Sequence, residues 1–433
     1  MKTYLNPPNS LFSEISLRPS QDDPKAEAIV KDIIERVKRD GDKALKELAK
    51  EIDSIDLKEL KVSDEEIKEA IDSVPDDLKQ AIGTAADNIR KFHTAELPKA
   101  VTVETSPGVV CRQMAVPISK VGLYIPGGTA PLFSTLLMLA IPAKVAGCPD
   151  IVLCTPPSKD GSVNPVILYA ASVCGVDSVY KAGGAQAIAA MAYGTESIPA
   201  RHKIFGPGNR FVMKAKQMIG LTKASIDMPA GPSEVMVLAD STAVPSFVAA
   251  DLLSQAEHGA DSQVILCCDS EGFAKEVEEC ISLLKKELPR SQAIEGALSK
   301  SRTVIFTGED SRERMAALAD YYAPEHLILS VKDPWEIVPK VSAAGSVFIG
   351  NYSPESAGDY ASGTNHTLPT SGWARSFGGV CTESFMRKFT VQELSPEGLQ
   401  GLSSTIVKMA EAEGLDAHAA AVKVRMGSIS KDI

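Results

Sequence analysis

Residues 121–148 read VGLYIPGGTAPLFSTLLMLAIPAKVAGC, and this stretch decides the fold class. A short apolar run at 121–125 is followed by a glycine-rich turn and then by a long stretch rich in Leu and Ala. The same alternation returns with DIVLC at 150–154, SVYKA at 178–182 and KIF at 203–205. Short β-rich runs that alternate with helical stretches are typical of a parallel α/β sheet.

A second series of such runs follows, which predicts a second parallel sheet in tandem with the first. Amphipathic segments such as 312–321 separate its strands. The sequence therefore predicts an α/β protein with two tandem, incomplete Rossmann-like domains over residues 118–232 and 233–379. The strands predicted for the second series are EVMVLA (234–239), QVILCC (263–268), TVIFTG (303–308), HLILSV (326–331) and SVFIG (346–350).

The segment before the two series is predicted to be mostly helical. Residues 1–22 form an N-terminal extension, and residues 23–117 form a helical arm that we expect to join the second α/β domain. Within this arm, Ser63 and Glu66 have the spacing of a capping box, which predicts the start of a helix.

The segment after the second series is predicted to be a loop followed by a helical tail. Residues 351–379 are rich in Gly, Ser, Thr and Pro, and a loop of that length is usually functional, so we expect it to line a site. In the tail, residues 380–433, Ser395 precedes a proline and begins a helix that ends near Gly414, and Asp416 begins another. The tail is too small to have its own core, so we expect it to pack on a partner subunit.

The composition argues against several classes of function. The chain has 433 residues and a formal net charge of −11, which leaves no broad basic surface for nucleic acid or an anionic membrane. Its eight cysteines include no C-x-x-C pair, which fits a reduced, cytoplasmic setting. The longest apolar stretch, residues 132–146, is interrupted by Ser134, Pro142 and Lys144, so no membrane-spanning segment is predicted.

Three strand ends of the first series carry glycine turns, at residues 126–129, 183–184 and 206–209. In a parallel sheet these ends share one edge, where glycines let the backbone approach a bound phosphate at a helix N-terminus. None of the turns is G-x-G-x-x-G, and βα turns often contain glycine without binding anything. Tyr124 and Gln186 could likewise be a core residue and a helix cap.

The six histidines fall into two groups. His93 and His202 lie in charged contexts, and both are predicted to be on the surface. The other four lie near carboxylates or carboxamides, as expected for ligands or catalytic groups. These four are His258, His326, His366 and His418.

A metal site is one interpretation of this second group. Residues 247–258 read as an amphipathic helix, which would place Gln255 and His258 on one face of its final turn. Asp359 and His418 would add an oxygen and an imidazole, a ligand set that suits zinc. The alternative is that Gln255 and His258 form a helix cap or a solvated face, and their spacing alone does not decide.

The segment YYAPEHL, residues 321–327, places Glu325 and His326 at the start of an apolar strand. Such a pair offers a base that titrates near neutral pH beside a carboxylate that can activate water. A salt-bridged strand start is an equally simple explanation of the same two residues.

Together these motifs resemble the histidinol dehydrogenase family. The resemblance covers nearly the whole chain and is weakest before about residue 100. Besides residues 121–148, the motifs that carry it are KIFGPGN (203–209), IDMPAGPSEV (226–235), LLSQAEHGADSQV (252–264), APEHL (323–327), GDYASGTNHTLPT (358–370), KFTVQELSPEGL (388–399) and AEGLDAH (412–418).

The resemblance implies a zinc-dependent, NAD-linked enzyme that oxidises L-histidinol to L-histidine through the aldehyde, with two NAD per substrate. It implies that His326 is the general base and that Glu325 activates water. The zinc ligands it implies are Gln255, His258, Asp359 and His418. The NAD contacts it implies are Tyr124, Gln186 and Asn209. The substrate contacts it implies are Ser233, Gln255, His258, His326, Asp359, His366, Glu413 and His418.

The resemblance also implies an intertwined homodimer whose C-terminal tail donates Glu413 and His418 to the neighbouring subunit's site. Three other functions stay open on the residues themselves. A related enzyme could oxidise another small polar alcohol, and Arg210 is the nearest candidate cation for an anionic one. A metal hydrolase could use Glu325 to activate water. An α/β binding protein would have no turnover at all.

Overall fold

The computed structural model describes residues 1–19, 24–127 and 131–429. The chain divides into two compact units. The first unit comprises Met1–Glu96 with Ile118–Phe385, and the second comprises Leu97–Pro117 with Met386–Ile433. Both predicted α/β series lie in the first unit, and the boundary drawn between them from the sequence stays a prediction.

The strands of the described residues form three sheets. They are β1 Lys2–Leu5, β2 Val101–Ser106, β3 Val109–Pro117, β4 Val121–Tyr124, β5 Ile151–Thr155, β6 Ser178–Lys181, β7 Lys203–Phe205, β8 Ser225–Ile226, β9 Glu234–Ala239, β10 Gln263–Cys268, β11 Arg302–Ile305, β12 His326–Ser330, β13 Ser346–Ile349 and β14 Met386–Leu394.

The α-helices are α1 Phe12–Ile15, α2 Pro24–Leu48, α3 Asp64–Ser73, α4 Asp76–Ala95, α5 Phe133–Val145, α6 Pro165–Cys174, α7 Gly184–Tyr193, α8 Arg210–Gly220, α9 Pro245–Ala256, α10 Glu271–Leu284, α11 Ser291–Ser299, α12 Ser311–Tyr322, α13 Glu355–Tyr360, α14 Pro396–Ala412 and α15 Asp416–Ile429. A π-helix, Ala49–Asp53, follows α2. Within the described ranges, no helix is both long enough and apolar enough to cross a membrane.

The first sheet has the strand order β6-β5-β4-β7-β8, and all of its pairs are parallel. Its first four strands along the chain are the four runs predicted from the sequence. Every residue of β4 and β5 is buried, as expected for parallel strands covered on both faces. Helix α5 is apolar around most of its circumference and is almost wholly buried, so it belongs to the interior.

The second sheet has the order β1-β11-β10-β9-β12-β13 and is also parallel. The five strands predicted for it are all present. Alternate residues of β9 enter two separate apolar cores, Val235 and Val237 on one face and Met236 and Leu238 on the other. The predicted N-terminal extension contains β1, which pairs with β11 at the sheet edge.

The helices of the arm form as predicted, but most of them pack elsewhere than expected. The capping box is present, because Ser63 Oγ accepts from Glu66 N and Ser63 N donates to Glu66 Oε2. From its sequence, the arm is predicted to join the second α/β domain. Instead α2 packs on α7 and α8, and α3 on α6, since the buried stripe of Val30, Ile33 and Val37 shares its core with the first sheet.

The second unit contains an antiparallel sheet of order β14-β3-β2 and the helix pair α14 and α15. The two helices are those predicted, and Ser395 Oγ accepts from Gly398 N as the N-cap of α14. The sheet was not predicted, and the tail expected to be helical begins with the nine-residue strand β14. Most residues of β2 and β14 are exposed, so these strands lack the period-two apolar signal of a half-buried strand.

Candidate active site

A cavity of about 870 Å³ opens at the carboxyl ends of the first sheet's strands. The three glycine turns meet at this edge, as predicted from the parallel order. Gly128 and Thr129, which the sequence analysis included in the first turn, lie outside the described residues. The cavity lining includes Tyr124, Gly127, Gly184, Gln186 and Asn209.

Tyr124 and Gln186 are both buried beside this cavity. The Tyr124 hydroxyl accepts a hydrogen bond from Gly184 N at 3.0 Å, and burial raises the pKa of Tyr124 to about 12. Gln186 is not a helix cap, because α7 begins after Gly183 without a side-chain cap. The two side chains therefore form part of the cavity wall at the start of α7.

Asn209 begins α8 and shapes the third turn. Its Oδ1 accepts hydrogen bonds from two backbone amides of the first helical turn. Gly206 has φ +130°, and a Cβ there would lie 2.0 Å from the carbonyl oxygen of Tyr124, so no other residue fits. A buried ion pair holds this glycine, since Lys216 Nζ donates to its carbonyl at 2.7 Å and Asp227 accepts from its amide at 2.8 Å.

The helical arm supplies one wall of the same cavity. Ile29 and Ile33 of α2 and Ile52 and Asp53 of the π-helix line it. Ile29 and Ile52 are large apolar residues that stay substantially exposed. The sequence analysis did not assign these residues to a site, because nothing in the helical pattern of the arm distinguishes them from ordinary surface positions.

A second group of functional side chains lies at the amino ends of β9 and β12. Glu325 and His326 are buried there, and both contact the backbone of Glu234. Glu325 Oε2 accepts from Glu234 N at 2.8 Å, and His326 Nδ1 lies 3.1 Å from the Glu234 carbonyl. Because a carbonyl can only accept, Nδ1 carries a proton, and in the neutral form of the imidazole Nε2 has the lone pair.

The charges around this pair shift both of its pKa values. Burial raises the pKa of Glu325 above its ordinary value. Burial alone would lower the pKa of His326, but the carboxyl groups of Glu325, Glu355 and Asp359 outweigh it and raise that pKa. The imidazole therefore lies in a strongly negative environment when no cation is bound.

Three side chains beside His326 could hold a metal ion. His258, Glu355 and Asp359 each offer one ligand atom, and these atoms all lie within 4.8 Å of one another. His326 Nε2 is 3.7 Å from Asp359 Oδ1. Gln255, another predicted ligand, is fully buried and donates its Nε2 to Glu325 Oε2 at 3.3 Å.

Several buried polar atoms at this place have no hydrogen-bond partner among the described residues. They are Gln255 Oε1, Glu355 Oε2 and His326 Nε2. Such atoms are rare in folded proteins, and three of them together fit a place that binds a cation. An imidazole with carboxylate and amide oxygens is a donor set that suits zinc, so the residues fit the metal implied by the resemblance.

Two local structures differ from the sequence prediction. Helix α9 ends at Ala256, so His258 lies beyond the helix and not on its last turn as predicted. Its amide still donates to the carbonyl of Gln255 at 3.3 Å, which keeps the two residues adjacent. The expected loop 351–379 contains α13, so Asp359 lies on a short helix, which is too brief to give a periodic signal.

Glu355 is the member of the cluster that the sequence analysis missed. It stands four residues before Asp359 on α13, and residues with this spacing share one face of a helix. Burial raises the pKa of Glu355 well above its ordinary value. The spacing is the one signal that could have found it, but a six-residue helix was not predicted there.

His366 and Ser233 lie near the cluster. His366 Nδ1 donates to the carbonyl of Asp359 at 2.9 Å, and its Nε2 accepts from the Thr135 hydroxyl at 3.0 Å. Both ring nitrogens are therefore engaged, and burial lowers the pKa of His366. Ser233 is half-buried and directly precedes Glu234 at the start of β9.

The remaining predicted site residues, Glu413 and His418, belong to the second unit. Glu413 follows α14, and His418 is in the first turn of α15. Both side chains are exposed. The cluster around Asp359 consists of first-unit residues alone.

A residue of the N-terminal extension supports the backbone that holds the Glu–His pair. Arg18 Nε donates to Glu234 Oε1 at 2.5 Å, and its Nη2 donates to Oε2 at 2.9 Å and to the Tyr322 carbonyl at 2.7 Å. The guanidinium also lies 4.0 Å from the centre of the Tyr322 ring. Since Glu234 provides the peptide groups that Glu325 and His326 contact, Arg18 fixes their position indirectly.

The prediction that His93 is on the surface is wrong, whereas His202 is exposed as predicted. His93 is fully buried, its Nδ1 donates to Glu96 Oε2 at 2.7 Å, and its carbonyl accepts from the Thr382 hydroxyl at 2.6 Å. Burial lowers the pKa of His93. His93 lies on the buried face of α4, which recurs every three or four residues and includes Ile89.

Comparison with known proteins identifies the family. The profile of the family described as histidinol dehydrogenase matches residues 16–426. The histidinol dehydrogenase of Bacteroides fragilis is 52% identical over 431 residues and 100% of both chains, and that of Vibrio parahaemolyticus is 50% identical over 94% of this chain and 93% of the relative. The crystal structure of histidinol dehydrogenase from Elizabethkingia anophelis superposes with a TM-score of 0.97, at 50% identity over 99% of both chains. The chain therefore belongs to the histidinol dehydrogenase family of oxidoreductases.

Proposed function

We propose that this chain oxidises L-histidinol to L-histidine with two molecules of NAD, as a zinc-dependent enzyme of histidine biosynthesis. One observation carries the proposal. A buried Glu–His pair lies beside the cluster of His258, Glu355 and Asp359, with His326 Nε2 3.7 Å from Asp359 Oδ1. Three buried polar atoms at this place, Gln255 Oε1, Glu355 Oε2 and His326 Nε2, have no hydrogen-bond partner among the described residues. This arrangement joins a general base to a place for a cation and a substrate.

His326 is the proposed base for both oxidation steps. Its Nδ1 is occupied by the Glu234 carbonyl, so Nε2 is the nitrogen that can accept a proton. In the first step Nε2 takes the proton of the substrate hydroxyl as the alcohol becomes an aldehyde. In the second step it takes a proton from the hydrated aldehyde, which becomes the carboxylate.

Glu325 is proposed to activate the water that hydrates the aldehyde. Burial raises the pKa of Glu325, which makes its carboxylate a stronger base than an exposed one. Its Oε2 is held by the amide of Glu234 and the Nε2 of Gln255, so the carboxyl group has a fixed orientation.

The proposed zinc ligands are Gln255, His258, Asp359 and His418. When bound, the ion would accept lone pairs from the substrate's imidazole and amino nitrogens and so orient the carbinol carbon. The chain keeps these side chains in place, and His366 supports Asp359 by donating a hydrogen bond to the Asp359 carbonyl. We propose that Ser233, His366 and Glu413 also contact the substrate.

The proposed NAD site is the cavity at the carboxyl ends of the first sheet. NAD would accept hydride from the carbinol carbon in each step. Tyr124, Gln186 and Asn209 are its proposed contacts, and the glycine turns allow close approach of a pyrophosphate. The cavity of about 870 Å³ is within the range of ligand and cofactor sites.

The proposed active form is a cytoplasmic homodimer in which the tail of one chain completes the site of the other. Support comes from large apolar side chains that stay exposed in the second unit, which a partner chain would cover. Val101 and Val103 of β2, Met409 of α14 and Val424 of α15 are exposed, the last by 72%. His418 and Glu413 lie on the same helical tail.

Counting products tests the reaction. Purified protein with limiting L-histidinol and excess NAD is expected to form two NADH per substrate, and removal of the metal with a chelator is expected to abolish turnover until zinc is restored. One NADH per substrate would indicate release of the aldehyde, and hydrolysis without NADH would contradict the proposal.

Mixing two inactive variants tests the shared site. A His418→Ala chain and a chain carrying Glu325→Gln with His326→Ala are each expected to be inactive. After subunit exchange, about one quarter of the wild-type activity should return, because half of the dimers are mixed and one site of each is intact. Verified mixed dimers without activity would argue against donation across the interface.

A further inference from the structure

A buried carboxyl group with no part in the proposed reaction lies inside the metal cluster. We propose that Glu355 binds the divalent cation in the substrate-free enzyme and is displaced from it by a nitrogen of the substrate. This inference rests on the proposed zinc site and adds a ligand that the resemblance does not imply.

Glu355 lies in a position from which it can reach a cation held by the cluster. Glu355 and Asp359 stand four residues apart on α13, so their carboxyl groups lie on one helix face. Their ligand atoms and that of His258 lie within 4.8 Å of one another. Ligands on opposite sides of one zinc ion are about 4 Å apart, so a small movement of these side chains would close them around an ion.

The burial of Glu355 also favours a cation beside its carboxyl group. The side chain of Glu355 is 1% exposed, and its Oε2 makes no hydrogen bond within the described ranges. No ion pair of Glu355 occurs within 4.0 Å among these residues either, although His326 is near enough to affect its pKa. Buried carboxyl groups are normally paired or coordinate metals, and a cation is the partner this one lacks.

The number of ligands around the ion limits when Glu355 can bind it. Four proposed protein ligands and two substrate nitrogens already make six, which leaves no position on the ion for a further oxygen. Glu355 can therefore bind the ion only while the substrate is absent. Once displaced, its carboxyl group remains beside the substrate, where it can accept a hydrogen bond from the amino group.

Zinc affinity measures the first half of the proposal. Metal-free full-length protein is titrated with Zn²⁺ against a chromogenic chelator, without histidinol. Glu355→Gln keeps the shape of the side chain and is expected to weaken binding at least 10- to 100-fold. Glu257→Gln is the matched control, because Glu257 is a half-buried carboxyl group next to His258 but outside the cluster. Binding of Glu355→Gln within twofold of wild type would overturn the proposal.

Cobalt spectra test the displacement. With Co²⁺ as the bound ion, the visible absorption of wild type and Glu355→Gln should differ without histidinol, because the ligand sets differ. Addition of histidinol without NAD should make the two spectra agree. Identical spectra without histidinol would disprove coordination by Glu355, and a difference that histidinol leaves unchanged would disprove its displacement.

Two further measurements keep these outcomes separate from misfolding and from failure of the proposed function. Circular dichroism checks that each variant folds, and Glu355→Asp, which keeps the charge but shortens the side chain, should bind zinc with intermediate affinity. A wild-type protein that binds no zinc or forms no NADH would contradict the proposed function. If the wild-type protein does both, and Glu355→Gln has the same zinc affinity and the same cobalt spectrum as wild type, the role of Glu355 alone would be contradicted.

Discussion

The two parallel sheets of the first unit present opposite ends to their candidate sites. In the first sheet, Tyr124 is the last residue of β4, and the glycine turns follow β6 and β7, so the cavity lies at the carboxyl ends. In the second sheet, His326 is the first residue of β12 and Glu234 the first of β9, so the Glu–His pair lies at the amino ends. The first edge is a large cavity, whereas the second is a closely packed group of ionisable side chains.

This difference follows from what each edge offers. Ligands usually bind at the carboxyl ends of an open parallel sheet, where turns enter helix N-termini, and the first sheet obeys this rule. At the second edge, the ladder between β9 and β12 begins at Val235 and His326. The backbone N–H and the carbonyl of Glu234 are therefore available to hold Glu325 and His326. Under the proposed function, NAD would bind at the carboxyl-end edge, whereas the substrate and the proton transfers belong to the amino-end edge.

The largest expected effect comes from removing the base at the amino-end edge. His326→Ala should lower kcat about 10²- to 10⁴-fold, since general acid–base catalysis contributes that much. The KM for NAD should change less than threefold, because the other edge is intact. Steady-state kinetics with varied NAD would measure both, and the exposed His202→Ala is the control. A kcat within tenfold of wild type would remove His326 from the chemistry.

A smaller effect is expected from Arg18, which supports the same edge without contacting the reacting groups. Arg18→Met leaves the Glu234 carboxylate buried without its cation, so kcat should fall about 10- to 100-fold as the Glu–His pair moves. Arg18→Lys should recover only part of the loss, because a lysine cannot form the two parallel hydrogen bonds. Kinetics at matched zinc content separate this from metal loss, and unchanged kcat in Arg18→Met would show that Glu234 holds its place unaided.

The carboxyl-end edge should respond in KM and not in kcat. Gln186→Ala is expected to raise the KM for NAD about tenfold, the value of one lost hydrogen bond, with kcat within twofold. Gln217→Ala, an exposed glutamine on α8, is the control and should behave as wild type. Titration of NAD at saturating histidinol makes the measurement. A fall in kcat with constant KM would contradict the division of labour between the two edges.

The buried parts of both sheets could be predicted from sequence because they are continuous apolar runs. Strands β4, β5, β9 and β10 are buried at every residue. Both faces of each strand are therefore covered, and the strand appears in the sequence as an uninterrupted apolar run. Strand β14 is almost wholly exposed and carries no such signal. The sheet of the second unit was missed for that reason.

The residues of the candidate site likewise divide into those that the sequence predicts and those that it misses. Local motifs indicated Glu325 with His326 and Gln255 with His258, because each pair is close in sequence. Glu355 was missed because the short helix α13, which places it on one face with Asp359, was not predicted. The isoleucines of the arm were missed because only the fold brings α2 to the cavity. Sequence spacing describes one element at a time, whereas a site is assembled from several.

The smallest expected effect concerns a buried histidine outside both edges, His93. Burial lowers its pKa, although Glu96 opposes this, so the folded protein binds the proton less readily than the unfolded chain, whose histidine pKa is about 6.5. The stability that neutral His93 contributes is therefore present above about pH 6.5 and is lost as the pH falls toward the lower pKa of the folded state.

His93→Gln should thus cost about 1–2 kcal/mol at pH 7.5, from disturbed hydrogen bonds with Glu96 and Asn365, and less at pH 5.5. Calorimetric unfolding of both proteins at the two pH values measures the change, and the kcat of folded His93→Gln should match wild type. A cost that grows as the pH falls would mean that folding favours the protonated form, with Glu96 outweighing burial. In that case the fold itself can stabilise a buried imidazolium, and the negative environment of His326 would be less particular to the amino-end edge.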